Sequence, residues 1–440
     1  MKKNVVVLGA GILGVSTAWH LAERGHDVTV VDRQSDAALE TSFANGAQIS
    51  VSFCEPWAHP DAPLKVLKWL ARDDSPLLFR PRLDPWQWLW GLSFLTQCTD
   101  GAFERNVAQL VALGRYSHET LKQMVAATGI DHQRLERGIL HFFGSQADLD
   151  TGAAGAELMR RHGVDRRVLS RAEVLAIEPA LATHAPQIAG GIYTPSDESG
   201  DARVFTQALA RRCEARGVRF LWRHAIEGFD TSGGALDAVR LRDLDGGAAL
   251  RVGGDAFVAA LGAHTAPLLR SIGVHLNIYP AKGYSATLKL LQPERASVVS
   301  MIDDARKIAI SRLGDRVRIA GTAELSGYDC GLEGATARVR CAALVKRYEQ
   351  IFPGVADTTE PNFWAGLRPS TPSNVPLIGR SKLGRLWINA GHGTLGWTHG
   401  AGSGRAIAEL VSGERPALAF DFLGEPRGKP SAALRQGLAA

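Results

Sequence analysis

The sequence predicts an α/β protein: a mostly parallel sheet interrupted by a mixed α+β domain that carries an antiparallel sheet. Three observations predict it. A short apolar strand, a glycine turn and a helix lead to a second strand within about 30 residues, which is a βαβ unit. Strand and helix signals of the same kind return after residue 200 and again near residue 386. Between them, residues 276–320 alternate apolar and polar positions, as in Lys307-Ile308-Ala309-Ile310-Ser311, the pattern of an antiparallel sheet with one wet face.

The elements follow in order. Residues 4–8 read as a buried strand, Gly9 to Gly14 as a tight turn, and 15–24 as a helix stopped by Gly25; residues 28–31 form the second strand, ending at Asp32. Residues 33–63 read as loop, broken by Pro56, Pro60 and Pro63. A tryptophan-rich stretch, Trp69 with Trp86, Trp88 and Trp90, leads into helical spacing as far as Thr128. Residues 139–143 and 188–193 are strands, and 158–175 is expected to be an interrupted helix. Asp201 caps a helix to Arg216, and 218–222 and 256–261 are apolar strands. The end reads as strand 386–390, a glycine turn, and a helix to about Val411. The implied division is 1–55, 200–275 and 366–425 for the parallel-sheet domain, 56–199 and 276–365 for the inserted domain, and a loose tail at 426–440.

Composition narrows the classes of function. Of 440 residues, 45% are hydrophobic and 22% charged, which excludes a disordered chain. No apolar run approaches the roughly 20 residues that span a bilayer. A net charge of +5 on so long a chain, without blocks of Lys and Arg, argues against nucleic-acid binding. Five cysteines without a CxxC pair, and histidines without a ligand spacing, leave no disulfide framework and no metal site. Met1-Lys2-Lys3 runs directly into the first strand, so no cleavable leader and a cytoplasmic location are expected.

Gly9-Ala10-Gly11-Ile12-Leu13-Gly14 is a GxGxxG set between strand and helix, and Asp32 follows Gly14 by eighteen residues. The first glycine permits the turn, the second lets a pyrophosphate approach the backbone, and the third lets helix and strand pack closely. An acid at the second strand's end accepts from a ribose hydroxyl and repels a 2′-phosphate; NAD and FAD stay equally open. Gly391-His392-Gly393-Thr394-Leu395-Gly396 repeats the pattern, but the acid at matching distance, Glu414, lies in a turn. A second dinucleotide site is therefore not expected there, only a helix N-terminus aimed at an electron-rich group. The polar loop Glu40 to Gln48 leaves the strand end that carries Asp32, where ligands of parallel sheets sit. Arg368, in Gly366-Leu367-Arg368-Pro369, stands at the return between domains and suits either a forked carboxylate contact or a surface ion pair. The Trp86–Trp90 stretch suits a buried helix or an interfacial membrane contact, with burial preferred.

Taken together, these segments resemble the FAD-dependent amine and amino-acid oxidoreductases of the D-amino-acid oxidase superfamily, and within it the bacterial D-amino-acid dehydrogenases. Residues 28–33, the Glu40-Thr41-Ser42 loop, 63–65, Asp197 to Asp201, Tyr279-Pro280, Lys282 to Ser285, Gly366 to Pro369 and Gly391 to Thr398 carry the resemblance, in order. It implies a Rossmann-like domain binding non-covalent FAD, with Gly9, Gly11, Ile12, Leu13 and Gly14 at the pyrophosphate and Asp32 and Arg33 at the ribose. It implies that Thr41, Ser42, Asn45, Gly46, Gln48, Ile226 and Gly262 approach the cofactor. The loop of Gly391, Gly393, Thr394, Leu395 and Gly396 would lie at the pyrimidine end of the ring. Arg368 would hold a substrate carboxylate, with Tyr284 and His392 as further catalytic candidates. The implied reaction is oxidative deamination of D-amino acids to 2-oxo acids and ammonia, with electrons passed to a quinone-type acceptor and peripheral contact with the membrane. A dehydrogenase or oxidase of a secondary or cyclic amine is the alternative, and a nucleotide-binding protein without turnover a third reading. The chain departs from the family at Asn45-Gly46-Ala47-Gln48, where Asn-Ala-Gly-Gln is the expected order, at Phe53-Cys54-Glu55, and at Ser370. Cys54 is the one cysteine near enough to the flavin loop to bear on covalent attachment.

Overall fold

The computed structural model describes residues 1–63 and 77–426. Trp69, residues 64–65 of the 63–65 segment and the tail at 427–440 lie outside the described residues. The first strand, Asn4–Leu8, pairs in parallel with Asp27–Val31 on one side and Ala256–Ala259 on the other. Arg219–Leu221 extends the sheet beyond Asp27–Val31, and Leu386–Ala390 extends it beyond Ala256–Ala259, both in parallel. Leu377–Arg380 closes that edge antiparallel, making six strands.

Two helices that leave glycine turns cross closely on this sheet. Ile12–Glu23 buries every residue from Ile12 to Leu21, and Gly396–Ser412 is buried almost throughout. A Cβ at Gly400 would stand 2.7 Å from the Ile12 side chain, and one at Gly404 2.6 Å from Ser16, so the glycines allow the helices to cross closely, with backbone meeting backbone at Gly404. On its other side Gly402 meets Ser117 of the long helix Asp100–Thr128. The close crossing brings the N-termini of both helices to one cavity.

The second large sheet has nine strands, from Asn362–Ser370 through Tyr279–Lys289 and Arg316–Leu325 to Ile308–Leu313, Ser300–Asp303, Ile139–Phe143, Gly190–Thr194 and Arg167–Ser170, with Leu77–Phe79 beside Arg316–Leu325. The helix Ala335–Ile351 covers one face, where Leu344, Tyr348 and Ile351 pack with Ile310, Ile319 and Leu288. Two elements differ from the sequence reading. The expected interrupted helix at 158–175 is a helix to Arg161, the edge strand Arg167–Ser170, and a new helix from Arg171. An edge strand buries only one side, so Arg167 and Val168 stay exposed and show no strand pattern. Residues 224–253 form a separate three-stranded antiparallel sheet, turned at Gly233-Gly234, that the strand–helix reading of this block did not contain.

The tryptophans divide along the helix Pro85–Gln97. Trp90 is buried and donates to the Ser370 carbonyl at 2.8 Å, while Trp86 stacks on His275. Trp88 is 50% exposed, and Leu89, Leu92 and Leu95 continue its face outward. The stretch is therefore core on one side and an apolar surface on the other.

Candidate active site

A cavity of about 1280 Å³ lies between the parallel sheet and the nine-stranded sheet. Its first wall is the glycine turn. Gly9 has φ +102° and a Cβ there would stand 2.6 Å from the Ala260 carbonyl oxygen; a Cβ on Gly14 would meet the Gly9 carbonyl oxygen at 1.8 Å. Gly11 caps the helix without a side chain, so the cap itself engages none of the first-turn N–H groups and leaves room for an anion at the helix N-terminus. Asp32 accepts from the amides of Ala10 (2.6 Å) and Gln34 (2.8 Å), while burial pushes its carboxyl above the usual range. Arg33 pairs with Glu40 at 2.6 Å and reaches His264. Ile226 and Gly262 line the same end of the cavity, and Gly14 stands behind the lining where it packs helix on strand.

The loop from Thr41 to Gln48 crosses between the two sheets and is fastened at each step. Thr41 donates to the Leu367 carbonyl (2.9 Å), Ser42 accepts from the Ile12 amide, and Gln48 donates to the Met301 carbonyl (2.9 Å). Ser285 and Ser311 donate to the carbonyls of Ala44 and Gly46. Asn45 accepts from the Ala47 amide, and Ala47 takes φ +60°, a left-handed conformation. The glycine shift seen in the sequence thus leaves an alanine at the left-handed position.

At the opposite end, Arg368 lines the cavity and donates to the Thr322 carbonyl at 2.7 Å. Among the described residues it has no carboxylate partner, and burial lowers its pKa to about 10. Its guanidinium lies on Gly283, whose missing side chain makes the space: a Cβ there would stand 2.3 Å from Cζ. Gly283 pairs with Gly366, and Trp364 fills the room above the second glycine, so the two form the floor of a trough. Sequence reasoning included Gly283 in a matched segment but gave it no role; a glycine inside a strand pattern was the available signal.

The two other catalytic candidates both border the cavity, and each has a polar atom engaged by a neighbouring side chain. Tyr284 touches the cavity, but its side chain follows the alternation of the strand to the other face, where its hydroxyl donates to buried Glu324 at 2.7 Å. It packs with Cys341 and Leu344 of the covering helix and is not available to a substrate carboxylate. His392 is 1% exposed, and its Nε2 is engaged with Ser403 (2.8 Å) under the final helix. It lines the cavity, its Nδ1 has no hydrogen-bond partner among the described residues, and burial holds its pKa well below the usual value. Cys54 is buried beside His399 and is not part of the lining; burial pushes its thiol up. Gly393, Thr394, Leu395 and Gly396 do line the cavity, whereas Gly391, at φ +85°, stands behind it against Thr371. Phe53 and Glu55, expected near the pocket, do line it, whereas Trp57, Leu77 and Phe94 are lining residues that the sequence reading missed. Among the described residues, no group of three or more His, Cys, Asp and Glu side chains is arranged to hold a metal ion.

The residues fit a dinucleotide carrying a large flat ring: a glycine cradle and ribose acid at one end, a fastened loop and a helix N-terminus further along. One cavity thus joins a dinucleotide cradle to an arginine that has no counter-charge among the described residues. The chain belongs to the FAD dependent oxidoreductase family (DAO), whose model matches residues 4–410. It is 49% identical over 420 residues, 96% of this chain and 99% of the other, to a D-amino acid dehydrogenase of Dechloromonas aromatica (strain RCB). It is 46% identical to one of Paramagnetospirillum magneticum (strain ATCC 700264 / AMB-1), over 96% of this chain and 98% of the other. In fold it is similar to L-proline dehydrogenase from P. horikoshii, with a TM-score of 0.71 at 19% identity and 95% of each chain covered. Glycine oxidase from Geobacillus kaustophilus gives 0.70 at 20%, covering 95% of this chain and 96% of that one. The protein is an FAD-dependent oxidoreductase.

Proposed function

We propose that the protein oxidatively deaminates D-amino acids, using non-covalently held FAD and passing electrons to a quinone-type acceptor. The observation that carries this is Arg368, a cation held in the cavity wall with a carbonyl partner and no anion among the described residues. Gly9, Gly11, Ile12 and Leu13 would hold the pyrophosphate and Asp32 the ribose. Thr41, Ser42, Asn45, Gly46, Gln48, Ile226 and Gly262 would border the cofactor. When bound, FAD supplies a hydride acceptor at N5. Arg368 binds the substrate carboxylate by a forked pair and so fixes which Cα bond faces the ring. The helix that starts at Gly396 presents the positive end of its dipole, and the loop of Gly393, Thr394 and Leu395, to negative charge in the cavity. The imine product is hydrolysed by water to a 2-oxo acid and ammonia, a step that asks no strong base of the protein. The D-preference rests on the names of relatives at 40–49% identity.

The division into a cofactor domain (1–55, 200–275, 366–425) and a substrate domain (56–199, 276–365) belongs to the same proposal, with a cytoplasmic location. No described helix is long and apolar enough to cross a membrane. The outward face of Trp88, Leu89, Leu92 and Leu95 supports a peripheral contact, because Phe94 of the same helix lines the cavity that an apolar acceptor must reach. The test is anaerobic bleaching of the yellow protein by D-, L- and cyclic amino acids. D-Amino acids should bleach it fastest; bleaching by cyclic secondary amines alone would replace this reading with the alternative, and bleaching by none would overturn the amino-acid substrate class.

A further inference from the structure

The strand Arg316–Leu325 is irregular where it passes Arg368. It pairs in step with Tyr279–Lys289 from Lys289↔Arg316 to Tyr284↔Gly321, then shifts so that Lys282 faces Glu324. Thr322 and Ala323 therefore stand opposite one residue, Gly283, which is a β-bulge. Thr322 takes φ +59° in that bulge, a left-handed conformation that a β-branched residue rarely adopts. Its Oγ1 is buried without a hydrogen-bond partner among the described residues. Ser285 and Ser311, on neighbouring strands, have theirs satisfied by the loop carbonyls. Neither feature is explained by the sheet. The left-handed backbone follows if this stretch of chain is shaped by the direction of one carbonyl group: the Thr322 carbonyl accepts from Arg368 Nη1 at 2.7 Å, straight across the bare Gly283.

We propose that the Thr322 bulge is the positioning element for Arg368: its carbonyl, turned out of the strand ladder, fixes the guanidinium so that its remaining N–H groups meet a substrate carboxylate. A cation tied by one N–H keeps its fork while losing rotamer freedom before the ligand arrives. The role belongs to the Thr322 backbone, so the side chain is dispensable and the bulge is not. The inference rests on the reading of Arg368 as the carboxylate site.

The test compares variants of the flavin-loaded protein by KM and kcat for a D-amino acid, and by benzoate titration followed through the flavin spectrum. Benzoate carries a carboxylate and no reacting amine, so its binding is read without turnover. Thr322→Gly keeps the bulge and its carbonyl, and should hold KM and benzoate affinity within about twofold. Deleting Thr322 restores regular pairing; KM and the benzoate Kd should rise about tenfold or more, with kcat changed far less. If the deletion does not fold, replacing Ala323 by lactic acid turns the Thr322 carbonyl into a weaker ester acceptor, and several-fold weaker benzoate binding is expected. Unchanged benzoate affinity in the deletion or ester variant overturns the proposal, as does a tenfold loss in Thr322→Gly. A wild type that binds benzoate but is not bleached by any D-amino acid would instead overturn the proposed reaction and leave the positioning role standing.

Discussion

The guanidinium of Arg368 rests on the α-carbon of Gly283, so closely that a Cβ on the glycine would stand 2.3 Å from Cζ. Glycine weakens a strand interior, and its presence here is explained by the arginine that crosses it. Gly283→Ala should push the guanidinium off the Thr322 carbonyl and lower kcat/KM for D-amino acids by about a hundredfold, the worth of a forked ion pair. The flavin absorbance should be retained. Steady-state kinetics beside a cofactor spectrum checks both; a variant with normal kcat/KM contradicts the contact.

Ala47 holds a left-handed conformation that costs a non-glycine residue roughly 1–2 kcal/mol. Ala47→Gly should therefore raise unfolding free energy by about 0.5–1 kcal/mol after the added freedom of the unfolded chain is subtracted. Urea unfolding of the FAD-bound protein measures it. A loss of stability would mean that the alanine methyl packs better than the backbone suffers.

His141, His392 and His399 are fully buried and held neutral, His399 with its pKa lowered to about 3. In the unfolded chain each takes a proton near pH 6.5. Below that pH the unfolded state binds more protons, so these groups lower stability as pH falls, by up to about 1.4 kcal/mol per pH unit for each. For His399 the window runs from 6.5 to about 3. Asp32 and Asp197, whose carboxyls burial pushes up, act in the opposite sense, so the informative quantity is a difference. His399→Gln should flatten the fall in urea midpoint between pH 7 and 5 relative to wild type; identical slopes would contradict it.

Trp88, Leu89, Leu92 and Leu95 present an apolar strip, while Trp90 on the same helix is bonded to Ser370. Replacing the four outward residues with serine should reduce sedimentation with lipid vesicles severalfold and leave activity with a soluble dye unchanged. Trp90→Ser should lower thermal stability instead. Equal vesicle binding by the outward variant removes the membrane role of this face.

What the sequence made legible was local. Gly9 to Gly14 with Asp32, and the Gly391 to Gly396 turn, announce themselves because a turn, a close approach and a helix start each demand particular residues in a row. Arg368 was legible through resemblance, because an arginine alone fits a surface pair as well. The role of Gly283 and the bulge at Thr322 were hidden because they depend on which strand lies beside which, and register is a long-range property. The direction of the Tyr284 side chain was hidden for the same reason: its bond to Glu324 and its packing against the covering helix depend on strand pairing. The 224–253 sheet was missed where short alternating strands sit between strand and helix signals that look like one more βαβ unit.

The most direct test of the central claim is anaerobic flavin bleaching in Arg368→Lys, measured with a D-amino acid and with the amine that lacks its carboxylate. Lysine keeps the charge and loses the fork. The account predicts bound FAD, a fall of about a hundredfold in kcat/KM for the amino acid, and almost no further loss for the amine, which is already a poor substrate. Equal losses for both, or a colourless protein, would show that Arg368 serves the fold or the cofactor and that the substrate carboxylate is held elsewhere.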